Sequence, residues 1–473
     1  MRGRLMRVHA IVLAAGDGVR FGADVPKQFL RLAGEQILAR SIRTVAAAGV
    51  DQLVVVSHPD WMADTERVVA DAGLSVPASV VAGGATRNES TRNGLNSLGA
   101  DDDDIVLIHD AVRPLLPLEV IQRAIEPVAA GRADSTDTVI PSADTLVVVD
   151  DGTVIEIPDR ARYRRGQTPQ VFRVRVLQQA YDAASAAGDL TATDDCSLVL
   201  RYVPGARVEA VPGDEVNLKI TTKLDFVLAD RMIQMRTLDL PDSDELQPSH
   251  SLDGARLLVV GGTTGIGRSI ADEAERLGAR AAVDGRSLGL DVRHYPAVEA
   301  RVNQAAEQMG GLDHVVVTAG ILRIGPLVET AAEDVAEVID VNLTGTLNVA
   351  RAAYPHLRQS RGSLTVFASS SFTRGRSSYV AYSASKAAVV NLAQGLADEW
   401  CDEGIRVNAV SPERTDTPMR RRAFPNESMA GMLSAGEVAA ATLRLIQSDL
   451  TGQVLDVRRH DAPAGRAERT SNR

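Results

Sequence analysis

The chain has 473 residues, of which 45% are hydrophobic and 24% charged, a globular composition with room for two or three domains. Its net charge of −11 argues against a general nucleic-acid binder or a membrane-surface protein, since both need a broad basic face. No apolar run approaches the roughly 18 residues that span a bilayer. The two cysteines, Cys196 and Cys401, are far apart, which argues against a disulfide scaffold and favours a reducing cytoplasm.

Apolar runs of strand length alternate with helical patterns along the chain, which predicts α/β layers. The predicted strands are residues 10–14, 52–57, 105–109, 135–140, 256–260, 314–318 and 364–368. Most are continuously apolar, as in parallel strands covered on both faces, so we expect two Rossmann-like, mostly parallel sheets. A polar, acidic stretch with two prolines separates the halves. The predicted domains are residues 1–236 and 253–461, with a linker at 237–252 and a flexible tail at 462–473.

A loop of small residues follows the first strand and precedes two cations, Arg20 and Lys27. Glycine lets backbone amides approach a polyphosphate closely. Cations together with Mg²⁺ stabilise the charge that grows on an α-phosphate and on leaving pyrophosphate. The predicted nucleotide-binding residues of the loop are Ala14, Ala15, Gly16 and Gly18. A structural turn would explain the glycines alone, but the added cations favour nucleotidyl transfer.

The loop resembles the signature of the 2-C-methylerythritol 4-phosphate cytidylyltransferase family, which activates sugar or polyol phosphates. Blocks at residues 83–90, 108–114, 144–145, 167–170, 193–194 and 217–221 continue the resemblance over residues 8–232. It implies a CTP site with Gly83, Arg87, Ser90 and Asp110, the last also near Mg²⁺. It implies acceptor-phosphate ligands at Arg113, Thr145, Arg160, Thr168, Thr193 and Lys219, with Arg20 and Lys27 catalytic. Taken singly, Arg113 could cap a turn and Asp110 a helix.

In the second half, Gly261, Gly265 and Gly267 lie between a strand and a helical pattern, a spacing that aims a helix N-terminus at a pyrophosphate. Downstream, Tyr382 and Lys386 fall on one face of a helix. A lysine ammonium beside a phenol lowers the phenol pKa, so we expect this tyrosine to exchange a proton with a carbonyl near neutral pH.

This set resembles the short-chain dehydrogenase/reductase family over residues 253–460. The resemblance implies a catalytic serine at Ser369, with Ser370 as the near alternative, and a proton-relay asparagine at Asn342. The implied cofactor contacts are Gly261, Gly265, Ile266, Gly267, Arg286, Ser287, Asp291, Val292, Gly320, Tyr382 and Lys386. Arg286 and Ser287 favour the 2′-phosphate of NADPH, whereas Asp284 could bind the 2′-hydroxyl of NADH. Arg374 and Arg376 could meet a substrate phosphate or belong to a solvated loop.

The two halves in this order resemble the bifunctional CDP-ribitol synthases of capsule and teichoic-acid pathways. That resemblance implies NADPH-dependent reduction of D-ribulose 5-phosphate to D-ribitol 5-phosphate, followed by coupling to CTP in a cytoplasmic homodimer. One alternative is a methylerythritol-phosphate cytidylyltransferase fused to an unrelated reductase, although Val147 stands where those enzymes have a cation. A second alternative is a catalytically inactive domain that serves in oligomerisation or nucleotide sensing.

Overall fold

The computed structural model describes residues 6–16, 25–240 and 248–459. The chain divides into two compact units, Met1–Asp230 and Arg231–Arg473. None of the helices in the described ranges combines the length and apolar character that a membrane crossing requires.

The described part of the first unit contains eleven strands, and seven of them form one sheet. The strands of this unit are β1 Val8–Ala14, β2 Arg31–Leu32, β3 Glu35–Gln36, β4 Gln52–Ser57, β5 Ala78–Ala82, β6 Ile105–Asp110, β7 Ser135–Pro141, β8 Val148–Asp150, β9 Thr153–Glu156, β10 Arg164–Arg173 and β11 Val208–Pro212. Its helices are α1 Ile37–Ala47, α2 Met62–Asp71, α3 Arg87–Ser97, α4 Leu118–Ala129, α5 Val174–Ala186, α6 Asp195–Tyr202 and α7 Lys223–Gln234, which ends just past the unit boundary. The sheet order is β11-β7-β10-β6-β1-β4-β5, and only β10 runs antiparallel to its neighbours.

Both faces of this sheet are buried, because its central strands β1, β4 and β6 contain continuous apolar runs. Ala10 and Val12 face one core with α1 and α4, whereas Ile11 and Val54 face the other with α3, α5 and α6. Side chains alternate between the faces of a strand, so a continuous apolar run supplies both cores.

The described part of the second unit contains nine strands. Seven of them form another sheet, in which all pairs are parallel. The strands of this unit are β12 Met235–Leu240, β13 Arg256–Val260, β14 Arg280–Asp284, β15 His314–Val317, β16 Ser363–Phe367, β17 Arg406–Pro412, β18 Thr415–Asp416, β19 Leu433–Ser434 and β20 Val454–Arg459. Its helices are α8 Gly265–Arg276, α9 Tyr295–Met309, α10 Ala332–Ile339, α11 Gly345–Ser360, α12 Val380–Trp400, α13 Pro418–Ala423 and α14 Ala435–Gln447, with a π-helical turn at Asp340–Thr344. The order is β12-β20-β17-β16-β15-β13-β14.

The predicted fold class is confirmed, and the seven predicted strands lie within one residue of β1, β4, β6, β7, β13, β15 and β16 or inside them. The domain division differs from the prediction at the linker. β12 pairs with β20 over residues 235–240, inside the predicted linker and the end of the predicted first domain. Leu252 is buried, and the amides of Ser249 and His250 donate to the carbonyl of Gln447. These contacts place both ends of the predicted linker with the second unit. The predicted tail lies outside the described residues.

A close approach of α3 to the first sheet gives a stability prediction. A Cβ at Gly94 would lie 2.9 Å from methyl carbons of Ile11 and Val56. We therefore expect Gly94→Ala to lower the free energy of unfolding of the first unit by about 1–3 kcal/mol through overpacking. Urea unfolding of a Trp400→Phe background, followed by Trp61 fluorescence, measures that unit.

Gly395→Ala in α12 is the control, because a Cβ there meets no atom within 4 Å. In a Trp61→Phe background followed by Trp400 fluorescence, it should raise stability by about 0.5–1 kcal/mol by restricting the unfolded chain and the helix backbone. Equal stability of the Gly94→Ala and parent proteins would contradict the packing argument.

Candidate active sites

In the first unit, the carboxylate of Asp110 ends β6 at the edge of the sheet where the loop after β1 also begins. Lys219 Nζ lies 2.8 Å from Asp110 Oδ2, and the Nε atoms of Arg113 and Arg87 lie 3.7 and 3.8 Å from its oxygens. Burial by itself would raise the pKa of Asp110, but Lys219, Arg87 and Arg113 outweigh burial and hold this pKa well below its usual value. The structure therefore keeps an ionised carboxylate surrounded by cations at this edge.

A buried histidine orients the residues around Asp110. The amide of Asp110 donates to Thr168 Oγ1 at 3.1 Å, and Thr168 Oγ1 lies 3.0 Å from His109 Nδ1. His109 Nε2 lies 3.2 Å from the carbonyl oxygen of Arg113, which only accepts hydrogen bonds. Burial lowers the pKa of His109 to about 4, so the ring is neutral. Its Nε2–H therefore donates to Arg113, and its Nδ1 accepts from Thr168.

The predicted acceptor-phosphate ligands differ in exposure. Arg113 is buried and donates to the carbonyl of Asn217 at 2.8 Å, so protein atoms already engage part of its guanidinium. The Lys219 side chain is 43% exposed, which makes it the most accessible of the three cations around Asp110. Within the described residues, no hydrogen bond or ion pair joins Thr145, Arg160 or Thr193 to Asp110. Arg160 instead donates to Ala143 O at 3.0 Å.

The segment at residues 83–90, which the resemblance assigns to the CTP site, lies against the loop that follows β1. The amide of Gly84 donates to Ser90 Oγ at 3.1 Å, and Ser90 Oγ donates to the carbonyl of Thr86 at 2.9 Å. A Cβ on Gly83 would lie only 2.5 Å from the Cβ of Ala15, so only glycine permits this approach. The structure thus brings the predicted CTP contacts of both segments together.

Arg87 connects Asp110 to a fully buried carboxylate that the sequence patterns did not single out. Its guanidinium lies 2.6 Å from Asp195 Oδ2, and Tyr181 donates its hydroxyl proton to the other oxygen of Asp195. Burial opposes the charge of Arg87, but Asp195 and Asp110 outweigh it and raise its pKa above the usual value. The contact spans 108 residues of sequence, so no local spacing could indicate it.

Gln28 lies in the Pro-Lys-Gln cluster that follows the glycine loop, although no role in the site was predicted for it. It is buried, and its amide donates to the carbonyl of Ala14 at 2.8 Å and to that of Gly16 at 3.4 Å. Lys27 next to it donates to the carbonyl of Ile220 at 2.9 Å. The Pro-Lys-Gln segment therefore fixes the start of the glycine loop. Gly18 and Arg20, predicted in the same loop, lie outside the described residues.

In the second unit, the glycine turn leads from β13 into α8 as predicted. Gly261 has φ +94°, and a Cβ there would lie 2.4 Å from the amide nitrogen of Ala319. A Cβ on Gly267 would lie 2.4 Å from Thr318 Oγ1. Glycine at these positions lets the turn pack closely against the segment after β15. Gly265, where α8 begins, lines a cavity, so this helix N-terminus can meet a dinucleotide pyrophosphate.

Two candidate groups for binding the ribose end of the cofactor, Asp284 and Arg286, lie at the end of β14. Arg301 binds both oxygens of Asp284, at 2.6 and 3.0 Å, and the amide of Gly285 donates to the same carboxylate at 2.7 Å. The Arg286 side chain is 72% exposed and forms an ion pair of 2.8 Å with Asp291. Asp284 is thus engaged by the protein, whereas Arg286 and the neighbouring Ser287 are exposed.

A cavity of about 1240 Å³ joins the glycine turn to the predicted catalytic residues. Its lining includes Gly261, Gly265, Arg286, Asp291, Val292, Gly320, Ser369, Tyr382 and Lys386. The Ser369 side chain is close enough to Tyr382 to affect the pKa of the tyrosine. This size and lining fit a dinucleotide with a small substrate beside it.

The prediction that Lys386 lowers the pKa of Tyr382 is wrong for this structure. Burial raises the pKa of Tyr382, although the nearby Ser369 side chain opposes the rise. Lys386 Nζ lies 5.8 Å from the centre of the tyrosine ring and donates to the carbonyl of Phe367 at 2.7 Å. Burial lowers the pKa of Lys386 to about 8. Desolvation therefore affects the pKa of Tyr382 more than the ammonium group of Lys386 does.

Asn342 lies in the π-helical turn and is fully buried. Its Oδ1 accepts from the amide of Ile321 at 2.8 Å, and its Nδ2 donates to Ile321 O and to Ser385 Oγ, both at 3.0 Å. Ser385 Oγ donates in turn to the carbonyl of Tyr382 at 2.7 Å. Asn342 thereby couples the segment after β15 to the turn of α12 that contains the tyrosine, a use common for π-helical turns at functional sites.

The comparisons with known proteins match each unit. A family model described as 2-C-methyl-D-erythritol 4-phosphate cytidylyltransferase matches residues 8–235, and one described as enoyl-(acyl carrier protein) reductase matches residues 253–457. A bifunctional ribulose 5-phosphate reductase/CDP-ribitol pyrophosphorylase of Haemophilus influenzae is 37% identical over 452 residues, covering 94% of this chain and 95% of that protein.

Two shorter relatives match the first unit. A ribitol-5-phosphate cytidylyltransferase of Lactiplantibacillus plantarum is 36% identical over 236 residues, 49% of this chain and 100% of that protein. A 2-C-methyl-D-erythritol 4-phosphate cytidylyltransferase of Thermobifida fusca is 40% identical over 238 residues, 49% of this chain and 95% of that protein.

Fold and sites together define an enzyme that joins a cytidylyltransferase domain to a short-chain reductase domain with a nicotinamide cofactor. The full-length relative is named for reactions of small molecules, ribulose 5-phosphate and CDP-ribitol. The chain belongs to the family of bifunctional ribulose 5-phosphate reductase/CDP-ribitol pyrophosphorylases. This confirms the predicted family and its two kinds of domain.

The buried pair of Arg87 and Asp195 gives a second stability prediction. Arg87→Met would leave a fully buried carboxylate without its cation, so the first unit should lose about 3 kcal/mol of unfolding free energy. Urea unfolding followed by Trp61 fluorescence in the Trp400→Phe background measures the loss. The double variant Arg87→Met/Asp195→Asn removes the unpaired charge and should recover part of it. A double variant less stable than Arg87→Met would contradict this account.

Proposed function

We propose that the chain synthesises CDP-ribitol in two steps. The second unit reduces D-ribulose 5-phosphate to D-ribitol 5-phosphate, and the first transfers cytidylyl from CTP to that product with release of pyrophosphate. The observation that supports this most is the match to the bifunctional Haemophilus influenzae protein along 94% of the chain. The geometry agrees, since each unit places reactive side chains at the carboxyl edge of its sheet.

In cytidylyl transfer, the phosphate of ribitol 5-phosphate attacks the α-phosphorus of CTP. Lys219, Arg113 and Lys27 would offset the negative charges that the two substrates bring together. Asp110, held ionised by its cations, would hold Mg²⁺. Mg²⁺ would supply further charge stabilisation at the triphosphate. Among the described residues, no three acidic, histidine or cysteine side chains are arranged to hold a metal ion, so the ion would also need ligands from the substrates or water.

In the reductase unit, NADPH would supply the hydride to the ketone carbon. Tyr382 would donate a proton to the ketone oxygen while the hydroxyl of Ser369 donates a hydrogen bond to the same oxygen. Burial keeps Tyr382 protonated across neutral pH, which suits a proton donor. Lys386 and the hydrogen bonds of Asn342 would position the tyrosine and return its proton from solvent.

NADPH is favoured over NADH because of the contacts at the end of β14. The carboxylate of Asp284, which would bind a ribose 2′-hydroxyl, is already held by Arg301 and the amide of Gly285. Arg286 offers an exposed guanidinium at the same edge, and such a group binds a 2′-phosphate readily.

The main alternative is methylerythritol 4-phosphate as the acceptor in the first unit. The 40% identity between the first unit and the Thermobifida fusca enzyme supports this alternative. Val147, however, stands exposed where those enzymes are expected to have a cation. The full-length match then favours ribitol 5-phosphate as the acceptor.

We also propose that the chain forms a homodimer in the cytoplasm, because both domains resemble families whose members form oligomers.

The coupled function is tested in one reaction mixture with D-ribulose 5-phosphate, NADPH, CTP and Mg²⁺, followed by NADPH absorbance and mass spectrometry. CDP-ribitol should form only when both cosubstrates are present. Tyr382→Phe should slow NADPH oxidation at least about 10²-fold through loss of the general acid, yet leave the coupling of supplied ribitol 5-phosphate to CTP unchanged.

Asp110→Asn should show the opposite pattern, with normal reduction and at least about 10²-fold slower coupling, because it removes the carboxylate at the phosphates. Asp102→Asn, an exposed carboxylate just before β6, is the matched control. Acceptance of methylerythritol 4-phosphate with no use of ribulose 5-phosphate would replace this proposal by the alternative.

Cofactor choice is tested at Arg286. Arg286→Ala should raise the KM for NADPH about tenfold, since a charged hydrogen bond to the 2′-phosphate is lost, and should change the KM for NADH less than about twofold. Arg293→Ala removes the other arginine that binds Asp291 but does not line the cavity, so it should leave the preference between cofactors unchanged. An unaltered preference in Arg286→Ala would assign the 2′-phosphate to other residues.

A further inference from the structure

Seven arginines line the reductase cavity, and most of them are neutralised by carboxylates. The paired ones are Arg286 with Asp291, Arg323 with Glu337, Arg414 and Arg420 with Glu427, and Arg458 with Asp456. Arg376 and Arg422 also line the cavity, and neither forms an ion pair with any carboxylate in the described ranges. Among the described residues, these two cavity-lining guanidinium groups are therefore the ones that no carboxylate contacts.

Arg376 is anchored beside the proton donor. It lies in the loop between β16 and α12, and its backbone amide donates to Ser383 Oγ at 3.3 Å. Ser383 directly follows Tyr382, so this hydrogen bond ties the arginine to the first turn of α12. Its side chain is exposed in the cavity and extends from a backbone position fixed relative to the tyrosine.

Arg422 reaches the same cavity from α13. In that helix, Arg420 stacks on Phe424 with its guanidinium carbon 3.8 Å from the ring centre. The ring of Phe424 lies 6.5 Å from that of Tyr379, which lies 6.3 Å from that of Tyr382. This row of rings links α13 to the helix that contains the catalytic tyrosine.

We infer that Arg376 and Arg422 form the subsite for the phosphate group of a ketose phosphate, an inference that rests on the proposed reductase function. The hydroxyl of Tyr382 marks the position of the carbonyl oxygen. In a pentulose 5-phosphate, three carbon atoms separate the carbonyl carbon from the phosphate ester, so both ends of the substrate lie in one cavity. An unpaired guanidinium binds phosphate through two parallel hydrogen bonds without first breaking an ion pair.

The expected positions of the cofactor phosphates limit where a substrate phosphate can bind in the same cavity. The pyrophosphate is expected at the N-terminus of α8, and the exposed Arg286 lies at the adenosine end. The Cβ position of Gly265 lies 3.6 Å from Pro418 Cδ at the start of α13. Arg422 follows Pro418 by four residues and so lies about one turn farther along the helix.

The test compares D-ribulose 5-phosphate with D-ribulose, which has the same ketone but no phosphate, in reductase assays of the full chain at saturating NADPH. Arg376→Gln and Arg422→Gln should each lower kcat/KM for the phosphorylated substrate at least about tenfold. Neither should change kcat/KM for D-ribulose more than about twofold. Arg374→Gln is the matched control, because Arg374 is an exposed arginine of the same loop that does not line the cavity.

Several results would overturn the inference. Unchanged kinetics in both variants would exclude a phosphate contact. An equal loss with both substrates would assign the arginines to the structure of the loop and α13. A raised KM for NADPH in Arg422→Gln, without an effect on the ketose, would assign that residue to the cofactor.

Failure of the proposed function has a different signature, since the wild-type protein would then not oxidise NADPH with D-ribulose 5-phosphate. Binding of inorganic phosphate to the NADPH-saturated full chain, measured by calorimetry at constant ionic strength, then decides the subsite. Other phosphate-binding sites of the chain are present in both the wild type and the variant, so they do not affect the difference in the number of phosphates bound. The wild-type protein should bind one more equivalent of phosphate than Arg376→Gln/Arg422→Gln, and equal binding would overturn the inference.

Discussion

In both units the reactive side chains follow the carboxyl ends of parallel strands, and the rest of each site is arranged around that edge. Parallel strands end together, so residues far apart in sequence meet there without any local contact. Asp110 ends β6 beside the loop that leaves β1, and Gly261 follows β13 beside Thr318, which follows β15. Helices cover both faces of each sheet, which leaves this edge as the place where side chains and backbone amides are open to a ligand.

The two sites solve opposite electrostatic problems. The cytidylyltransferase unit must hold several anions, and Lys219, Arg87 and Arg113 keep Asp110 ionised while offering positive charge to phosphates. The reductase unit must deliver a proton to a neutral ketone. There, burial keeps Tyr382 protonated and brings the pKa of Lys386 down to about 8. The same physical cause, desolvation, is overcome by neighbouring charge in the first site and dominates in the second.

Much of each site could be predicted from short patterns. The glycine turns, the tyrosine and lysine one helical turn apart, and the apolar strands all depend on near neighbours in sequence. The pKa of Tyr382 could not be predicted in this way, because it depends on how deeply α12 is buried and on where Lys386 Nζ points. The antiparallel direction of β10 could not be predicted either, because it is decided by pairing with β6 and β7 rather than by the residues of β10.

The sequence by itself determined the two domain types, the order of their reactive residues and the family to which the chain belongs. Local spacing contains that information, because a phosphate-binding turn or a helical pair needs particular residues at particular intervals. Only the tertiary structure decided which charges are already balanced. Asp284 is held by Arg301, Arg87 by Asp195, and Arg420 by Glu427, whereas Arg376 has no carboxylate partner in the described part of the chain. Those pairings depend on distances between separate elements, and the fold alone sets such distances.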